Sequence, residues 1–164
     1  SEEGARRRHE DKVIDAVVEL SRVEFPSILV EQEIDRLIAA EERELQASRI
    51  SLEDYLRGRR KSQEELREEL RPLASRQVAR SLVLSKVAEA EKIAVTSEEI
   101  DEEIETVAQG AGQQSEKLRK LFQSPAARQS LEKVLVTRKT VKRLVAIASG
   151  EAETEAISKE SEAA

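Results

Sequence analysis

The chain has 164 residues, 38% of them charged and 2% aromatic, with net charge −6, no Cys and no Met. This composition excludes disulfides, thiolate nucleophiles and Cys-ligated metals. No apolar run approaches ~20 residues, so no segment is a membrane-spanning helix and no membrane is expected as a partner. The acidic balance weighs against nucleic acid, whose binding draws on basic groups that neutralise phosphates, and the Ala, Leu, Glu, Arg and Lys bias predicts an all-α fold.

Val13, Ile14, Val17, Leu20 and Val23 recur at spacings of three and four, which predicts a helix over 10–23. "VEFPS" stops it, because the residue before a proline is pushed from helical angles. Ser27, or Pro26 ahead of it, opens the next helix, whose stripe is Val30, Ile34, Leu37, Ile38 and Leu45. Ser51 to Asp54 reads as a capping box for the short helix "LEDYLRG", with Gly58 placed to end it in a left-handed conformation. Ser62 to Glu65 is a second capping box, starting a helix that Pro72 kinks or divides. From Leu73 to Lys92 Ala74, Val78 and Leu82 share one line, with Leu84, Val87 and Ala88 beside it. So wide a stripe predicts a core helix buried on two sides, in which Leu82 is a core residue.

Thr96 to Glu99 is a third capping box, before Ile100, Ile104 and Val107. "QGAGQQ" reads as a loop and Leu118, Leu121 and Phe122 as a short helix. Ser124-Pro125 then caps a last helix through Leu131, Val134, Leu135, Val141, Leu144, Val145 and Ala148. The tail 150–164 is acidic and reads as disordered. Two paired units, 26–71 and 96–124, depart from core helices at 10–23, 73–92 and 125–149. No repeat at a fixed period is visible. The missing Met fits a processed product or a segment of a longer protein.

No constellation carries catalysis. His9 is the single histidine and stands among arginines, without partners for a metal. The Glu pairs lie at helix starts on polar faces, and there is no phosphate loop or Ser-His-Asp set. No cofactor is implied. "RGRRK" at 57–61 could meet nucleic acid or an acidic partner, or form a solvated turn. Tyr55, Leu56, Leu121 and Phe122 sit on short helices at the ends of the departing units. There they are expected to be partly exposed, unless each short helix folds back on its own hairpin.

"VEFPSILVEQEIDRL", "LEDYL", "SQEELREELRPLASRQVARSLVLSKVAEAEKIAVTSEEIDEEI" and "RKTVKRLVAIAS", in that order, resemble the C-terminal domain of bacterial trigger factor over residues 10 to 149. The resemblance implies a helical body with two protruding helical-hairpin arms, the two departing units. It implies an ATP-independent, cytoplasmic chaperone domain that cradles unfolded or nascent polypeptides, with weak self-association. Ribosome docking and prolyl isomerisation belong in that family to other domains, and the Gly-Phe-Arg-x-Gly docking signature is not found here. Leu37, Ile38, Tyr55, Leu56, Val107, Leu121 and Phe122 are the expected client contacts. A periplasmic SurA-like segment, or an adaptor binding one folded partner, would share the architecture.

Overall fold

The structure is a computed structural model and describes residues 2–150. Every regular element among them is helical: α1 Glu2–Ser21, α2 Ser27–Ala47, α3 Leu52–Gly58, α4 Gln63–Ala90, α5 Ser97–Gly110, α6 Ser115–Leu121 and α7 Pro125–Ala148, with a 3-10 turn at Gly112–Gln114. The acidic tail expected over 150–164 lies, from residue 151, outside the described residues.

Helix α1 begins at Glu2, eight residues before the start predicted at residue 10. The pairs Glu3–Arg7 (2.7 Å) and Arg6–Glu10 (3.1 Å) have the one-turn spacing that supports a helix, and Glu2 and Glu3 complement the helix dipole. Leu20, expected on the buried stripe, is exposed. Pro72 does not divide α4. A proline there leaves one carbonyl, that of Glu68, without its helical donor. Both residues are exposed, so water can serve that carbonyl, while buried Ala74 holds the helix in place. Helix α4 is buried on two sides, as its wide stripe predicts. Val83 lies nine residues from Ala74, half a turn round the helix, and both are buried.

The capping boxes at Ser62/Glu65 and Thr96/Glu99 are complete, each side chain bonding the other residue's backbone N–H. At α3 the box is half made. The Asp54 N–H donates to Ser51 Oγ, but the shorter Asp54 carboxylate meets the Ser51 hydroxyl instead of its N–H. Gly58 remains helical, and the left-handed residue is Arg60, at φ 54°. Arg60, Arg49 and Lys92 (φ 59° and 52°) each complete the same paired-bond helix stop. In the last, the Ile93 N–H donates to the Ala88 carbonyl (2.8 Å) and the Lys92 N–H to that of Glu89 (3.2 Å). A side chain costs ~1–2 kcal/mol in that conformation, against which glycine's greater unfolded freedom costs ~0.5–1 kcal/mol. Lys92→Gly should therefore raise stability by up to ~1 kcal/mol in a denaturant melt. A loss would show that the cation at the helix C-terminus outweighs the strain.

The chain divides into two compact units, a continuous one of Val17–Val83 and a split one of residues up to 16 and from 84 on. The core of the continuous unit is Val30, Ile34 and Ala74, with Phe25, Leu37, Ile38 and Leu70 packed against it. That of the split unit is Ile100, Ile104 and Leu135, with Val95, Phe122 and Leu131. These are two copies of one arrangement. Phe25, Val30 and Ile34 stand 70 positions before Val95, Ile100 and Ile104; Leu70 and Ala74 stand 61 positions before Leu131 and Leu135. The ion pair Glu31–Arg67 (2.7 Å) recurs at the same two offsets as Asp101–Arg128 (2.7 Å). Arg22 and Lys92 are both left-handed, and the burial pattern of 21–30 repeats over 91–100. The chain thus carries an internal repeat, though not one of fixed period, since the offset changes from 70 to 61. Helix α4 closes the first copy and opens the second.

Candidate binding surface

In the continuous unit, Leu37 and Ile38 are half-buried against the core, and α3 folds back on α2. A cleft of about 320 Å³ lies among α2, α3 and α4, with Ile38, Leu52 and Leu66 on its walls and Asp35, Glu42 and Arg67 at its edges. Leu56 is 4% exposed, which corrects the expectation that it is a surface residue. A seven-residue helix is too short to stand alone, so it is held by burying an apolar face. Tyr55 is half-buried, with the Arg59 guanidinium 4.7 Å from its ring centroid.

The rest of the basic cluster is answered by local acids. Lys61 reaches Glu69 at 2.7 Å, Arg57 reaches Glu53 and Asp54, and Glu64, Glu65 and Glu68 line the same notch as Arg59 and Arg60. Arg67 joins Glu31 to Asp35, and Arg71 joins Glu31 to Glu68. The two arginines, Arg67 before Arg71, hold the Glu31 carboxyl below the usual carboxylate range.

In the split unit, Asp101 and Glu103 of α5 reach Arg128 and Arg138 of α7. Those arginines are ten residues apart, ~15 Å along a helix, so α5 crosses α7 rather than running beside it. Glu103 and Ile104 lie near the crossing, and the stripe Ile100–Ile104 continues to Val107, which is 40% exposed. Helix α6 turns back on α5 through Gly112, at φ 56°, and Arg119 bonds Glu105 at 2.8 Å. That bond, then the Gln109 amide, keeps the Glu105 carboxyl low. Leu121 on α6 is 58% exposed. Phe122 is half-buried against Ile100, Ile104 and Leu135, so the ring is largely structural.

Of the seven expected contacts, Val107 and Leu121 are therefore open, Leu37, Ile38, Tyr55 and Phe122 half-open and Leu56 closed. Sequence reasoning missed Ile28, Leu73 and Val134, which are also exposed. Leu73 and Val134 are equivalent in the repeat, each following its half-buried leucine, Leu70 or Leu131, by three residues. Among the described residues no group of three or more His, Cys, Asp or Glu is placed to hold a metal, and no helix is long and apolar enough to cross a membrane.

Residues 1–146 match the family model for the bacterial trigger factor protein C-terminus. Similar curated proteins are named trigger factor. That of Carboxydothermus hydrogenoformans is 37% identical over 86% of this chain and 33% of its own length. That of Moorella thermoacetica is 42% identical over 73% and 28%, and that of Dehalococcoides mccartyi (strain BAV1) 33% identical over 84% and 31%. The chain thus spans about a third of the length of these relatives. A solved structure of trigger factor domains from Thermotoga maritima shares the fold, with a TM-score of 0.58 at 23% identity over 85% of this chain and 80% of that one. The chain belongs to the bacterial trigger factor C-terminal family.

Proposed function

We propose that this chain holds unfolded or nascent polypeptides without ATP, through shallow apolar sites set among charges. The observation that carries the reading is the uncovered end of the α5 stripe at Val107, with exposed Leu121 on the helix packed against α5. Exposed aliphatic side chains among charged neighbours suit weak, sequence-tolerant contact with apolar segments. Membership of a chaperone family supports it. In this reading 26–71 and 96–124 form two arms on a helical body. Docking to the ribosome and prolyl isomerisation are assigned to parts of such a protein outside these residues.

Val107→Ser with Leu121→Ser should lower the capacity to suppress aggregation of several unrelated denatured proteins. Melting should shift little, because exposed sites cost within ~0.5 kcal/mol. Unchanged protection would remove these residues from the client surface. A parent chain that protects no client would end the chaperone reading.

A further inference from the structure

We propose that a second cleft of the continuous unit, floored by Leu29, Val78 and Leu82, receives an apolar side chain of a bound unfolded polypeptide. This rests on the holding function above and names one of its subsites. The cleft has a volume of about 320 Å³, at the small end of ligand-binding clefts. Gln32 and Ser81 stand at its edge with Glu33 and Arg36.

The internal repeat supplies the argument, because the chain carries the same position twice. The residues 70 positions after Leu29 and 61 after Val78 and Leu82 are Glu99, Lys139 and Arg143. Three aliphatic side chains in one copy are thus three charged ones in the other. There Lys139 Nζ donates to Glu99 Oε1 (2.6 Å) and to the Ala94 carbonyl (2.8 Å), while Arg143 bonds Glu91 (3.1 Å). The second copy therefore closes this position with its own Lys139, tying α7 to the turn before α5. In the first copy no such side-chain bridge can form, since the Leu29 and Val78 side chains have no polar atoms, and the cleft stays open.

The chemistry selects the occupant. The floor is aliphatic and holds no charge. At the edge Arg36 is neutralised by Glu33 at 2.6 Å and bonds Gln77. A charged ligand finds no fixed counter-charge there, whereas an aliphatic or aromatic side chain finds three apolar walls. The Gln32 amide and Ser81 hydroxyl can pair with the backbone of an extended segment.

Closing the cleft tests this in two ways. Leu29→Glu with Val78→Lys builds the second copy's bridge into the first. Ser81→Trp fills the cleft from an exposed edge position and does not disturb the core. The probe is fluorescent, reduced and carboxymethylated α-lactalbumin, a permanently unfolded chain, read by anisotropy with the full 164-residue protein. Both variants should bind about fivefold or more weakly, the scale of one lost aliphatic contact. The reciprocal pair Glu99→Leu with Lys139→Val should open the second position and tighten binding. Ser81→Trp that melts like the parent and binds within about twofold of it overturns the proposal, even if the double variant does not fold. A parent that fails to bind the probe refutes the holding function itself, which separates the two failures.

Discussion

Replacing Ile34 by alanine should cost ~2–5 kcal/mol of stability, in the upper half of that range. Ile34 is fully buried between Val30 and Ala74. The loss has two parts, the transfer free energy of the deleted methyl and methylene groups and the cavity they leave. The cavity part depends on whether neighbours can move in. Ala74 has nothing to extend, and Leu37, Ile38 and Leu70 are already packed against the same cluster. Ile104→Ala in the second copy should cost less, because Ile104 is nearer the surface and water can reach part of the gap. Leu82, which the sequence places in the core, is half-buried at a cleft and should cost less again. Denaturant unfolding of the three variants gives the order directly. A loss at Ile34 within ~0.5 kcal/mol, as at surface sites, would mean that the α2–α4 core is misplaced.

The helices were legible because their signals are local. Ser62 and Glu65, or Thr96 and Glu99, satisfy one another within three residues, and each helix start falls where that spacing places it. The stops were harder to read. A left-handed stop favours glycine, so Gly58 was the natural candidate, yet the chain uses Arg49, Arg60 and Lys92. Cations suit the negative end of a helix, which offsets part of the strain.

The repeat was hidden for two reasons. Over 21–38 and 91–108 only Ser27, Glu33 and Ile34 meet an identical residue. The offset also falls from 70 to 61 between the two legs of the copy, because the segment carrying α3 is longer than that carrying α6. What recurs is burial, not identity, and burial depends on contacts between distant residues. Exposure on the short helices failed for the same reason. Leu56 and Leu121 have similar sequence surroundings, both on seven-residue helices among charges, yet one is buried and the other open.

Leu56 therefore carries the second large expected effect. Leu56→Ser should cost ~2–4 kcal/mol, from lost burial and from a hydroxyl left in an apolar site. Tyr55→Ser should cost less. Tyr55 is only partly buried, with the Arg59 guanidinium over its ring, and a cation over a ring contributes only ~0.5–1 kcal/mol at an exposed site. The damage at Leu56 should be local first. Helix α3 has seven residues, fewer than an isolated helix needs, so its order comes from packing on its hairpin. Amide exchange in 52–58 should accelerate in the Leu56 variant before the rest of the continuous unit opens, and the melting point should fall. The Val107/Leu121 double variant should show neither change. If Leu56→Ser leaves exchange and melting unaltered but weakens client protection, the leucine is a surface contact and α3 is held by other groups.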